Sequence, residues 1–218
     1  MVQPHLHRLS TPRAAAFAGV LFALLFGTAL FLIHSALPEG AEPGSQWLSA
    51  GSAKLKVAAI LMPFAGICFL WFMGVVRDGL GRYEDKFFSS VFIGSGLLFL
   101  AMMFVASGVG AGLERSGALM HSDVATFGQM LLLTISKTYA LRMAAVFMIS
   151  LATIWLKTGL MPRWLVGVTY LVAVLLLLGS DVTMWLTLVF PCWVLVVSLL
   201  LLARAGVIDL PGDRADSE

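Results

Sequence analysis

A membrane-length apolar segment, Gln129 to Lys157, carries basic and polar side chains that could do chemistry inside a lipid bilayer. A helix needs about 20 apolar residues to cross the hydrocarbon. Counting back from Lys157 places Lys137 at one interface and Arg142 about 7 Å inside it. A charge at that depth is costly unless it is paired, so Arg142 marks a candidate functional site. The alternative is that its side chain extends back to the interface.

The polar residues of this segment fall on one face of a helix. At 100° per residue they form a narrow stripe, while Lys137 points to the opposite side. We expect the stripe to face other helices, where a charge can be paired or hydrated. Alternatively, its hydroxyl groups only hydrogen-bond to the backbone or to adjacent helices. The stripe consists of Tyr139, Arg142, Val146, Ser150, Thr153 and Lys157.

Polar residues from other parts of the chain are expected to meet Arg142 at the outer surface of the membrane. Asp181 is its preferred partner, because both lie at the outer ends of neighbouring helices and an unpaired buried charge is costly. The cluster could bind a small anion or relay protons, or it could be a structural salt bridge. Two histidines without a third ligand are weak evidence for a metal or a haem, so we expect no metal and no cofactor. The cluster consists of His34, Glu114, His121, Asp123, Arg142 and Asp181.

Sequence motifs for other kinds of chemistry do not occur in the 218 residues. There is no GxxxxGK[ST] phosphate loop, no HExxH, and no Ser/His/Asp set that stands out. Cys68 and Cys192 lie in apolar segments without CxxC spacing, which is typical of inert buried thiols. The net charge of +2 leaves no basic patch for nucleic acid. We therefore expect neither an enzyme nor a nucleic-acid partner.

The composition is that of an integral membrane protein. Hydrophobic residues make up 60% of the chain and charged residues only 12%, with a mean hydropathy of +0.95, whereas soluble domains carry about 25% charged residues. We predict an all-α fold, a single transmembrane domain of six helices in the lipid bilayer. The predicted helices cover about residues 14–37, 56–76, 87–113, 137–156, 164–179 and 184–203, with polar tails at 1–13 and 204–218. Pro63 and Pro191 are predicted to kink the second and the last of them.

The fourth predicted helix raises a question of length. A single helix over residues 124–157 would be about 51 Å long, which exceeds one crossing. Either its first turns project beyond the membrane, or a short interfacial helix precedes it. We favour the second option, because Gly128 offers a break and Val124, Phe127 and Leu131 share a face.

Small side chains recur every four residues in the first predicted helix, a spacing that lets another helix approach closely. This stripe packs either inside the bundle or against a membrane-protein partner or a second copy of the chain. The third predicted helix repeats the spacing at Ser90 and Gly94 and again at Gly108 and Gly112. The stripe of the first helix consists of Ala15, Gly19, Ala23 and Gly27.

A charged turn follows the second predicted helix. Its charges alternate in sign, as in a solvated hairpin between two helices, and the rival interpretation is a docking surface for a partner. The turn includes Arg77, Asp78, Arg82, Glu84, Asp85 and Lys86.

The distribution of basic residues predicts the topology. The apolar run from Ala14 to Leu37 is about 20 residues long, more than the 7–15 of a signal peptide, and we expect it to stay attached. Nine of the 14 Lys and Arg residues then fall on the side of the two termini and five on the other side. Both termini are therefore predicted to be cytoplasmic.

Several segments resemble a group of uncharacterised bacterial, largely actinobacterial, membrane proteins of unknown function. The segments span most of the chain, and the resemblance implies a stand-alone protein of the bacterial inner membrane. It brings no functional residues with it. The segments are PFAGICFLWFMGVVRDGLG, EDKFFSSVFIGSGLLFLAMMF, LRMAAVFMIS, PRWL and FPCWVLVVSL.

Two classes of function remain at this point. The first is a non-enzymatic packing or accessory subunit that docks through the first helix or the charged turn. The second is a small-molecule or ion transporter, or a membrane sensor, that uses the cluster around Arg142 and Asp181. The scarcity of intramembrane acids disfavours a proton-coupled pump. A water-filled cavity lined by Tyr139, Arg142, Ser150 and Thr153 would favour transport or sensing, and a dry bundle with an exposed Ala15 to Gly27 stripe would favour the accessory role.

Overall fold

The structure, a computed structural model, describes residues 11–36, 51–80, 86–115, 122–179 and 183–204. Five helical segments in these ranges are long and apolar enough to cross a membrane, and Arg163–Gly179 is a shorter apolar helix. The predicted all-α membrane bundle is confirmed. The elements are α1 (Thr11–Ala36), α2 (Gly51–Leu80), α3 (Lys86–Arg115), α4 (Ser122–Leu133), a π-helical segment (Thr134–Ala140), α5 (Leu141–Thr158), α6 (Arg163–Gly179), a 3₁₀ turn (Met184–Leu188) and α7 (Val189–Arg204).

Local sequence signals explain how α5 ends and how α6 begins. α5 ends at Thr158 because Gly159 follows with a φ of 67°, in the left-handed region, and its N–H donates to the carbonyl of Trp155 at 2.9 Å. The carbonyl of Pro162 accepts from the N–H of Leu165 at 3.0 Å and so starts α6. A tight turn therefore joins these two helices.

The segment from Ser122 to Thr158 is continuous, because α4, the π-helical segment and α5 follow one another without a gap. The predicted break at Gly128, and the separate interfacial helix with it, is wrong. A Cβ at Gly128 would overlap the side chain of Leu113, so this glycine lets α4 approach α3 closely. The other predicted option is that the first turns of this helix project beyond the hydrocarbon. It fits a continuous segment that is longer than the roughly 20 residues of one crossing.

Pro191 lies in the first turn of α7, the last helix, rather than in its interior, and the kink expected there stays a prediction. The chain runs as a 3₁₀ turn to Leu188 and as an α-helix from Val189, two residues before the proline. A proline cannot donate the backbone hydrogen bond of a helix interior. The side chain of Thr183 caps the turn by accepting from the N–H of Trp185 at 3.4 Å.

The helices pack as neighbours along the bundle. α1 lies along α2 and α7, and α3 contacts both α2 and α5. α3 also contacts α4 and the π-helical segment, while α6 packs on α5. α1 and α3 therefore bring the two halves of the chain together.

Aromatic rings fill the centre of this bundle. Phe69 of α2 lies 4.7 Å from Phe22 of α1 between ring centroids, and 5.4 Å from Phe147 of α5. Phe190 of α7 approaches Phe99 of α3 to 4.6 Å. Tilted and edge-to-face pairs at these separations are the favoured geometries of aromatic contacts. The aromatic core, as we call this cluster, consists of Phe22, Phe26, Phe69, Phe72, Phe92, Phe99, Phe147, Phe190 and Trp193, all buried.

Candidate functional site

The middle of the polar stripe predicted on α5 is used for packing between helices. Ser150 is buried, and its hydroxyl donates to the carbonyl of Val146 at 2.8 Å. The hydroxyl of Thr153 is 2.8 Å from the carbonyl of Ile149 and 2.7 Å from the hydroxyl of Tyr170. These hydroxyls are therefore satisfied by their own helix and by α6, as in the packing interpretation of the stripe.

A second polar contact joins α6 to α7. The indole N–H of Trp193 donates to the hydroxyl of Thr169 at 3.0 Å, and Thr169 is fully buried. This bond and the contact between Thr153 and Tyr170 link α5, α6 and α7 by side-chain hydrogen bonds. Sequence reasoning missed Thr169 and Tyr170, because a single hydroxyl in an apolar helix gives no spacing to recognise.

The outer end of the predicted stripe departs from expectation. Tyr139 is 56% exposed, so the prediction that it faces other helices is wrong. It lies in the π-helical segment, whose i→i+5 bonding puts an extra residue into the turn. Residues on the two sides of that segment no longer keep a spacing of 100°. Arg142 follows it and is half-buried, and Lys157 at the other end of α5 lies over the ring of Phe88, 4.5 Å from its centroid.

A buried histidine connects the end of α1 to the 3₁₀ turn. His34 is only 5% exposed, and its Nε2 lies 3.1 Å from the hydroxyl of Thr187. The ring of Trp185 meets the imidazole edge to face, 5.4 Å away between centroids. The hydrogen bond joins two parts of the chain that are 153 positions apart, so no local pattern could have predicted it.

A small cavity lies beside this histidine, where α1, α3, α4 and the π-helical segment meet. The space open to the centre of a water-sized sphere is about 10 Å³. Its walls are mostly apolar, but His34, Ser107 and Ser136 also line it. We call the set of His34, Ser107, Ser136, Trp185 and Thr187 the His34 junction.

The rest of the predicted outer cluster is only partly within the described residues. Asp123, at the start of α4, is exposed. His121, Asp181 and the side chain of Glu114 lie outside the described residues, so the pairing of Arg142 with Asp181 stays a prediction. Among the side chains that the structure does describe, no three of the His, Cys, Asp and Glu type form a metal-binding group.

The small-residue stripe of α1 faces the interior at its middle. Gly19 and Ala23 are buried, and a Cβ at Gly19 would overlap Ser198 of α7 and come within 2.8 Å of Phe72. Gly27 meets open space, and the side chain of Ala15 lies outside the described residues. At Gly19 the stripe thus serves the crossing of α1 with α7.

The charged turn is described only at its first residues. Arg77 and Asp78 are exposed at the end of α2. Arg82, Glu84, Asp85 and the side chain of Lys86 lie outside the described residues. Its role as a docking surface stays a prediction.

Comparison with known proteins gives no relative: the chain matches no protein-family model, no curated protein and no solved structure. What it does must therefore be inferred from its own residues and their geometry.

Proposed function

We propose that this chain is a non-enzymatic accessory or packing subunit of a membrane assembly. The aromatic core carries the proposal, because buried rings from α1, α2, α3, α5 and α7 occupy the middle of the bundle. A path for an ion or a polar solute needs polar groups or water along its length. Close-packed rings offer neither.

The polar groups of the interior support the same reading. Among the described side chains, no Asp, Glu, Lys or Arg is buried. Three buried hydroxyls, on α3, the π-helical segment and α5, donate to the carbonyl four residues earlier: Ser95 to Val91 at 2.6 Å, Ser136 to Leu132 and Ser150 to Val146, both at 2.8 Å. Each of these three hydroxyls has given its single proton to a backbone carbonyl, so none of them offers a donor to a transported solute.

Docking is best supported on α3. A Cβ at Gly94, Gly108 or Gly112 would meet nothing within 4 Å, so these glycines are not required for packing inside the chain. Small residues on a membrane-facing helix let a second helix approach closely. Gly108 also lines an open groove of about 240 Å³ between α2 and α3, together with residues such as Pro63 and Phe104. This surface replaces the α1 stripe as the proposed contact with another membrane protein or a second copy.

The test is purification from native membranes in a mild detergent, followed by identification of the co-purifying proteins and the mass of the complex. The double variant Gly108→Leu/Gly112→Leu should lose the partner while its melting temperature stays that of the wild type. Gly74→Leu is the matched control, since Gly74 on α2 also meets open space, and it should keep the partner. A wild-type chain that purifies as a lone monomer would contradict the accessory role.

A transporter or sensor is the second candidate, and one observation favours it. The π-helical segment directly precedes the half-buried Arg142, and such segments are frequent at functional sites. Purified protein in proteoliposomes with an internal pH dye or an anion-sensitive dye tests this candidate. A flux above that of empty vesicles that is lost in Arg142→Gln would favour it over the accessory role.

For its location we propose the plasma membrane of a bacterium, as the resemblance of its segments implies, and the basic residues near the helix ends support placing both termini on the cytoplasmic side. Reporter fusions that are active only outside or only inside the cell, placed at each terminus, check the topology. A periplasmic signal from either end would refute it.

A further inference from the structure

The cavity of the His34 junction is polar on one part of its wall and apolar elsewhere. Its lining combines the imidazole of His34 and the hydroxyls of Ser107 and Ser136 with apolar residues such as Leu30, Ile33 and Met103. Cavities with wholly apolar walls stay empty, whereas a buried water needs two to four polar partners. The three polar residues meet that need.

The size of the cavity fits a single small molecule. About 10 Å³ is open to the centre of a water-sized sphere, close to the lower limit of roughly 10–15 Å³ for holding one water. Any larger polar ligand would have to displace the apolar walls. The chemistry and the volume therefore both select water.

The hydroxyls keep hydrogen-bonding capacity for such a guest. Ser136 is buried and gives its proton to the carbonyl of Leu132 at 2.8 Å. Its oxygen still has lone pairs that can accept from water, because a serine hydroxyl has one donor and two acceptor sites. Ser107 offers a second hydroxyl from α3.

We infer that the cavity holds one ordered water molecule, hydrogen-bonded by Ser136, Ser107 and His34. The water ties the end of α1 to α3 and to the π-helical segment, while Thr187 ties the same histidine to the 3₁₀ turn. This inference is independent of the proposed accessory role.

The direct test is an experimental structure of the full chain in lipid nanodiscs at a resolution that shows ordered waters. The expected result is one peak in the cavity, within about 2.7–3.2 Å of polar atoms from at least two of the three residues. An empty cavity, or density for an acyl chain, would overturn the inference.

A matched pair of serines gives a second test. Ser136 and Ser150 both donate to the carbonyl four residues earlier at 2.8 Å, but only Ser136 lines the cavity. Ser136→Ala therefore removes a hydroxyl at the cavity, and Ser150→Ala removes a similar hydroxyl elsewhere. The melting temperature should fall about 2–4 °C more for Ser136→Ala than for Ser150→Ala, because the water then also loses a hydrogen-bond partner. Equal shifts for the two variants would refute a water held by Ser136.

Discussion

The aromatic core and the His34 junction both join helices inside a membrane, but they do so by different means. Lipid tails are as apolar as the side chains, so burial from water does not drive helices together there, and packing and hydrogen bonds must do so. The aromatic core relies on the fit of many rings, such as the pair of Phe99 and Phe190. The His34 junction relies on few but directional contacts, above all the bond between His34 and Thr187.

The difference suggests how each region should respond to change. Removing volume from the aromatic core loses many small contacts at once and leaves a void. Removing one hydroxyl from the His34 junction changes little volume but strands a buried polar group. Stability should therefore be most sensitive to changes in side-chain size in the aromatic core, and to the loss of polar groups at the His34 junction.

The largest effect is expected for Phe69→Ala. Phe69 is fully buried and contacts rings from four other helices, so its loss should cost about 3–5 kcal/mol. Phe64→Ala on the same helix is the control, because Phe64 is 57% exposed and should matter little. Thermal unfolding in detergent compares the two. Similar melting temperatures would mean that the aromatic core does not hold the bundle together.

Gly19→Ala tests the close approach of α1 to α7. The new methyl would overlap Ser198 and press on Phe72, so we expect a loss of about 1–3 kcal/mol. Gly27→Ala on the same helix meets open space and should be neutral or stabilising. The hydroxyl of Ser198 is buried and makes no hydrogen bond to the described residues, so adding Ser198→Ala should recover part of the loss. A Gly19→Ala variant as stable as Gly27→Ala would contradict this packing.

Thr187→Val tests the His34 junction without changing its volume much. It removes the hydroxyl that bonds to Nε2 of His34, and the expected cost is about 1–2 kcal/mol. Thr187→Ser keeps the hydroxyl and should retain most of the stability. If Thr187→Ser and Thr187→Val have the same melting temperature, the bond to His34 contributes nothing to stability and the contrast with the aromatic core fails.

The parts of the fold that depend on composition and length could be predicted from the sequence. Long apolar runs give the helices, and Gly159 marks the end of α5 by the usual left-handed cap. Gly128 shows where this reasoning fails. A glycine in a helix signals either a break or a close neighbour, and only the position of Leu113 decides between them.

The candidate sites were harder to predict, for two physical reasons. The face of a residue was inferred from a constant 100° spacing, and the π-helical segment changes that spacing just before Arg142. The contact between His34 and Thr187 spans 153 positions, and it depends on how α1 and the 3₁₀ turn meet. Neither feature leaves a periodic trace in the sequence.

The smallest effect is expected for Tyr170→Phe, which sharpens the contrast between the two regions. The phenol of Tyr170 is 2.7 Å from the hydroxyl of Thr153, but that hydroxyl also has the carbonyl of Ile149 at 2.8 Å, so no buried group is stranded. We expect a loss of only about 0.6 kcal/mol, the average for such bonds between membrane helices. Tyr139→Phe, at an exposed position, is the control for the loss of a phenol alone. A loss for Tyr170→Phe as large as that for Thr187→Val would show that directional bonds matter throughout the bundle and not mainly at the His34 junction.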